Sequence, residues 1–183
     1  TILISTTLFS LIVFLAGSIL EKFLKNKEEY NFYEKFIFGF IFLSTIALIV
    51  NFFLPLSQFL NTIFYLAIIF ISIFIFKVKI NKEDLKVIIL ISFLSSFLLI
   101  FSYSYRPDAG IYHLPYVSIL NNEKIIFGLF NIHERFAIIS IMQYISAFNN
   151  NFIFGENGIA IPLAIICSFI TSYFLIEIYV SII

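Results

Sequence analysis

Five long stretches of the chain carry almost no charge, and short polar or turn-forming segments divide them. They run from Ile2 to Leu20, Phe36 to Leu54, Leu60 to Phe76, Val87 to Tyr105, and Ile159 to the last residue. None holds Lys, Arg or Asp, and Glu177 is the single acid among them. A bilayer core is crossed by about 20 apolar helical residues, within a range of roughly 17–25. In lipid the backbone must satisfy its own N–H and C=O groups, so a span is either a helix or part of a closed barrel. Barrel strands alternate polar and apolar over about ten residues, which these continuous runs do not do. The pattern predicts an all-α integral membrane protein, with five transmembrane helices in one transmembrane domain over residues 1–183. The first run lacks the basic start and small-residue cleavage site of a signal peptide, so it reads as a retained span.

The connecting segments predict an orientation. Lys22, Lys25, Lys27 and Lys35 lie between the first two runs, and Lys77, Lys79, Lys82 and Lys86 between the third and fourth. The turn from Pro55 to Phe59 has no charge. Lysine-rich short loops stay in the cytoplasm. The expectation is a multi-pass protein of the cytoplasmic membrane, with Thr1 and the long 106–158 segment outside and the C-terminus inside.

Composition agrees with this and narrows it. The chain has 183 residues, 61% hydrophobic and 12% charged, with a mean hydropathy of +1.06. A soluble domain carries about 25% charged residues, and disorder needs low hydrophobicity with high net charge. Net charge is +0, so a basic footprint for nucleic acid is not expected and membrane lipid is the expected surrounding. Cys167 is the only cysteine, which leaves no disulfide and no cysteine metal cluster within the chain. The abundance of Phe and Ile is given no functional weight. The chain opens at Thr1 and closes at Ile183 inside apolar runs, with Met142 as its one methionine. The expectation is part of a larger membrane bundle.

The 106–158 segment changes character. It holds both arginines, Arg106 and Arg135, and both histidines, His113 and His133. Asp108, Glu123, Lys124, Glu134 and Glu156 are also there. Tyr103, Tyr105, Tyr112 and Tyr116 cluster at its start, as in an interfacial aromatic belt. Pro115 suits the first turn of a short helix running towards Asn121, and Asn121-Asn122 reads as its end. A second short helix is expected from about Glu134 to Phe148, before the Asn149-Asn150-Asn151 turn. Two short juxtamembrane helices on or re-entering the outer face complete the expected fold. Asn51 and Gln58, beside the uncharged turn, are expected to face water.

The run Arg106-Pro107-Asp108-Ala109-Gly110-Ile111-Tyr112-His113-Leu114-Pro115 follows directly on the fourth predicted span. Two readings of Asp108 stand side by side. Pro-Asp-Ala-Gly is good turn chemistry. A carboxylate held at the membrane surface can also take a proton from a hydroxyl or bind a cation. His113 reads either as a contact to phosphate or hydroxyl, or as an interfacial ring packed beside Tyr112 and Tyr116. Glu134 suits the positive end of a helix dipole. Arg135 gains nothing there, which points to a carboxylate or phosphate partner. Asp108, His113 and His133 do not make a zinc motif, since no His-x-x-x-His pair or cysteine accompanies them.

An acid in an outer loop directly after a membrane helix, followed by short juxtamembrane helices, resembles the GT-C superfamily of polyprenyl-phosphate-sugar-dependent glycosyltransferases. Asp108 to Pro115 resembles the Asp…Tyr-His-Leu-Pro signature of a bacterial branch of multispanning membrane proteins. Phe127-Gly128-Leu129-Phe130-Asn131-Ile132-His133-Glu134-Arg135-Phe136 is similar to that branch's Gly-Leu-x-Asn-x-His-x-Arg-Phe stretch. The likeness covers roughly residues 87–150. It implies a GT-C-like bundle and transfer of sugar from a polyprenyl-phosphate-linked donor to a glycan or lipid acceptor. By the same resemblance Asp108 is the general base or a ligand to a divalent cation. Arg106, Tyr112, His113, His133 and Arg135 are the substrate-binding candidates. The superfamily often carries a pair of acids where this chain has Asp108 alone, so metal dependence stays open. Three other readings stand: a flippase for lipid-linked oligosaccharide, a polysaccharide polymerase, and a non-catalytic scaffold. A transporter would place charge inside the spans, where this chain has Glu177 alone, near its expected cytoplasmic end.

Overall fold

The computed structural model describes residues 1–24, 30–102, 109–132, 134–137 and 140–182. Its architecture is all-α: 83% helical, with no strand among the described residues. In chain order the helices are α1 (Ile2–Leu24), α2 (Phe32–Phe53), α3 (Gln58–Phe70), α4 (Lys82–Phe101), α5 (Leu114–Asn122), α6 (Ile141–Phe148) and α7 (Ile161–Ile182). A π-helical turn, Ile71–Ile75, prolongs α3. Five of these elements are long and apolar enough to cross a membrane: α1, α2, α3 with its extension, α4, and α7 with the 3-10 turn before it. The chain is a multi-pass membrane protein in architecture, and the two short helices are α5 and α6.

Polar caps place the helix starts earlier than the apolar runs do. Asn31 accepts a hydrogen bond from the Glu34 amide at 2.9 Å, and the Glu34 carboxylate accepts one from the Asn31 amide at 2.8 Å. Asn81 and Asp84 repeat this reciprocal box at the start of α4. Both helices therefore begin with a charged turn. A third box, between Ser140 and Gln143, starts α6. It breaks the single helix expected from Glu134 into a 3-10 turn, Glu134–Ala137, and the eight-residue α6.

The bundle has two unlike ends. At one, the lysine-bearing segments meet. Glu21 and Lys35 pair at 3.3 Å, and the Lys22 ammonium donates to the Phe76 carbonyl. At the other, α5, α6 and the 3-10 turns pack over the turn between α2 and α3. Here α6 is not laid on the surface: Tyr144, Ile145, Ala147 and Phe148 are fully buried. An aromatic group of Phe9, Tyr65, Phe148 and Phe154, with ring centroids 5.1–6.2 Å apart, joins α1, α3, α6 and the loop after α6. Apolar side chains such as Phe59, Phe93 and Phe174 stand on the outside, where lipid is their natural solvent.

The α1–α2 contact depends on two glycines. A Cβ on Gly17 would lie 1.7 Å from the Lys35 carbonyl oxygen, and one on Gly39 would lie 1.9 Å from that of Val13. Small residues let membrane helices approach to backbone contact, where packing supplies the attraction that lipid cannot. Gly39→Ala is expected to lower thermal stability in detergent by about 1–3 kcal/mol, the usual cost of overpacking. Gly110→Ala is the control, since its Cβ would meet nothing within 4 Å. Equal melting temperatures for the two variants, followed by circular dichroism, would disprove the close-contact account.

Candidate functional site

The site lies at the end of the bundle away from the lysines, on one face of α5. A π-helical turn, Ala109–His113, leads into this helix, with Pro115 in its first turn, where a missing amide costs nothing. Helical spacing sets Tyr112 and Tyr116 one above the other. Against them comes the 3-10 turn Glu134–Ala137, which supplies Arg135 and Phe136. The Arg135 guanidinium carbon lies 4.8 Å from the centroid of the Tyr112 ring, and the Tyr116 and Phe136 rings lie 5.8 Å apart. The His113 ring is 4.2 Å from that of Tyr112. His113 and Arg135 are exposed, and Tyr112 is half-buried.

The fold thus brings together three of the residues singled out in the sequence: Tyr112, His113 and Arg135. Asp108, Arg106 and His133 lie outside the described residues, as do Tyr103 and Tyr105. Among the described residues no group of three His, Cys, Asp or Glu side chains could hold a metal ion. What the described cluster offers is cationic and aromatic. A guanidinium over a ring face is held in place by cation–π attraction, and its planar fork matches the geometry of a carboxylate or phosphate. Beside it, a small apolar pocket of about 170 Å³ lies between Tyr116, Ile119, Phe127, Leu129 and Phe136, with Lys124 on its lining. Phe127 and Ile132, 84% and 74% exposed, project from the same loop. Apolar side chains displayed there suit an interface with lipid. At the base of the site, burial and then the neighbouring Tyr116 hold the Tyr144 phenol well above the ordinary tyrosine range.

Asn51 is a correction. It was expected to face water and is instead fully buried. Its amide donates to the carbonyls of Leu120 and Glu123 at 3.2 and 3.0 Å, and its own carbonyl accepts from the Ile125 amide at 2.9 Å. Gln58 is half-buried and donates to Asn150 at 2.9 Å. These two belong to an asparagine network that the sequence reading did not identify. Asn61 and Asn121 both donate to the Leu56 carbonyl, at 2.8 and 2.7 Å, and both donate to the Ala147 carbonyl, at 3.0 and 2.8 Å. Asn150 donates to the Asn121 side chain at 2.8 Å. Asn149 accepts from the Tyr65 hydroxyl at 3.1 Å and donates to the Gly158 carbonyl at 2.7 Å. The network clamps the α2–α3 turn, the end of α5 and the end of α6 into one platform. Asn51 and Asn61 inside otherwise apolar runs were its visible signal.

A family model described as a domain of unknown function (DUF8201) matches residues 1–182. The chain belongs to the DUF8201 family. No curated protein and no solved structure matches it. The DUF8201 match takes in all five span-length helices, the Tyr112–Arg135 cluster and the asparagine clamp alike.

The clamp has a measurable signature. Asn61→Leu or Asn121→Leu alone leaves the Leu56 and Ala147 carbonyls one side-chain amide each, whereas the double substitution strips both amides, leaving Leu56 bare of them and Ala147 with the Asn150 backbone amide at 3.2 Å. Buried polar groups without partners cost about 1–3 kcal/mol. The double variant is therefore expected to be destabilised beyond the sum of the singles, by about 1 kcal/mol or more. Strict additivity in detergent unfolding would mean that the two amides do not share their acceptors.

Proposed function

We propose that the chain is a polytopic membrane glycosyltransferase of GT-C type. It moves a sugar from a polyprenyl-phosphate-linked donor to a cell-envelope glycan or lipid acceptor at the outer face of the cytoplasmic membrane. One observation carries the reading: the motifs around Tyr112-His113 and around Arg135, far apart in sequence, meet in one cation–aromatic cluster at the end opposite the lysines. The positive-inside rule supports the sidedness, with the lysine-bearing end and the C-terminus in the cytoplasm.

In this reading the acceptor hydroxyl attacks the anomeric carbon. The new carbon–oxygen bond forms as the bond from that carbon to the phosphate oxygen breaks, and the electron pair leaves with the polyprenyl phosphate. The Asp108 carboxylate takes the hydroxyl proton. In the other form of the same reading, Asp108 is a ligand to a divalent cation that positions the acceptor. Arg106, His113, His133 and Arg135 offset the charge growing on the departing phosphate. Tyr112 holds the Arg135 fork in place. The apolar loop at Phe127 and Phe130 keeps this chemistry at the lipid surface, where a polyprenyl chain resides.

Two variants test it in the full-length protein in its host. Asp108→Asn keeps the size of the side chain and removes its charge, and Arg135→Ala removes the fork. Both are expected to reach the membrane at normal abundance, to leave a surface glycan short of one sugar, and to accumulate the polyprenyl-phosphate sugar by mass spectrometry. Loss of a general base lowers the rate by about 10²–10⁴-fold. Arg135→Lys keeps the charge without the planar fork and is expected to restore only part of the glycan. Unchanged glycans and lipids in both variants would defeat the transferase reading in favour of a flippase or a scaffold.

A further inference from the structure

The opposite face of α5 borders an open cleft of about 800 Å³, and among the described residues none of those proposed above for sugar transfer line it. Its polar lining comes mostly from amides: Gln58, Asn121, Asn122, Asn150 and Asn157, with Glu156 the only charged group among the described residues. The Phe59 and Phe152 side chains, 65% and 67% exposed, also line it. The back wall is prearranged. Gln58 donates to Asn150, which donates to Asn121, which donates to backbone carbonyls at both ends of the clamp. The Phe152 amide is held by the Thr62 hydroxyl at 3.0 Å. The front is uncommitted. Asn122 bonds only within its own helix, to Ser118. Among the described residues no hydrogen bond engages the side chains of Asn157 and Glu156.

This chemistry selects a ligand class. With no Lys, Arg or His among the described lining residues and Glu156 present, the lining disfavours a phosphate or other anion. Among the described residues the lining offers a divalent cation one carboxylate, Glu156, and so little charge to hold it. An acyl chain laid against the row of amides would leave their donors and acceptors without partners. Amide side chains offer donors and acceptors side by side, which suits groups that both donate and accept, such as hydroxyls. Exposed phenyl faces add apolar contact for a ring's C–H face. We infer that this cleft binds a neutral sugar residue of a glycan, on the opposite face of α5 from the cationic cluster. The sugar is either carried by a lipid or part of a free polymer. The inference stands on the cleft itself and does not need the transferase reading.

The test uses the full-length protein in its host, with photoreactive benzoylphenylalanine at position 118, an exposed residue of the lining. After irradiation of intact cells, the purified protein is analysed by mass spectrometry. The expected result is an adduct that releases sugar fragment ions. Its yield should fall by about fivefold or more when Asn122→Leu and Asn157→Leu are added, since each removes about one hydrogen bond's worth of binding. A polyprenyl phosphate mass on the adduct identifies the lipid-linked source, and its absence a polymer. Adducts to phospholipid or peptide alone, or none from protein of normal abundance, would overturn the inference. Sugar capture that persists in Asp108→Asn cells with an unchanged glycan profile supports the cleft while removing the transferase reading.

Discussion

Backbone carbonyls buried where helices and turns meet have no water to turn to, and in this chain asparagine amides take the place of water. The last carbonyls of a helix have no intrahelical donor, and leaving them bare inside a packed bundle is costly. Leu56 and Ala147 each offer a carbonyl at the junction of three elements, and Asn61 and Asn121 serve both. Asn51 does the same for Leu120 and Glu123. The amides thereby fix where α5 and α6 sit. Both faces of α5, and so everything proposed for this end of the molecule, are positioned by that arrangement.

The helix α5 works as a partition. Tyr112, in the turn that leads into it, and its own Tyr116 meet Arg135 and Phe136, with Lys124 nearby, so one face is cationic and aromatic. Its Ser118, Asn121 and Asn122 border a cleft with no cation and one carboxylate. A nine-residue helix is marginal in isolation, because helices shorter than about 12–15 residues rarely persist in water. Here its end is tied by backbone bonds from Leu56 and Glu123 and by the Asn121 side chain. The separation of charge across such a short element therefore depends on the platform beneath it rather than on helix propensity.

The five spans were legible because lipid imposes one rule, continuous apolar length, and the chain follows it. The starts of α2 and α4 were placed late, because an apolar window excludes the charged turns that Asn31 with Glu34 and Asn81 with Asp84 cap. The break before α6 was missed for a related reason: Ser140 and Gln143 form a capping box inside what reads as one apolar helix. The meeting of Tyr112 with Arg135 followed from no local pattern, although both residues were singled out for their chemistry. Asn51 was misread because an amide beside a turn commonly faces solvent. Only the distant carbonyls of Leu120 and Glu123 give it a buried role, and separations of this kind leave no trace in a local window. The cleft between Gln58 and Asn157 was invisible for the same reason.

The partners of the clamp lie far apart along the chain. Asn61 and Ala147 are separated by 86 residues, and Asn51 and Glu123 by 72. A chain made from its N-terminus inserts the α2–α3 hairpin before α5 and α6 exist. During that interval Asn51 lacks the Leu120 and Glu123 carbonyls, and Asn61 has Leu56 within the hairpin but not Ala147. Those long-range bonds form only once the later helices are present. Assembly of this end of the protein therefore follows the first spans, in an order set by how far apart its partners lie along the chain.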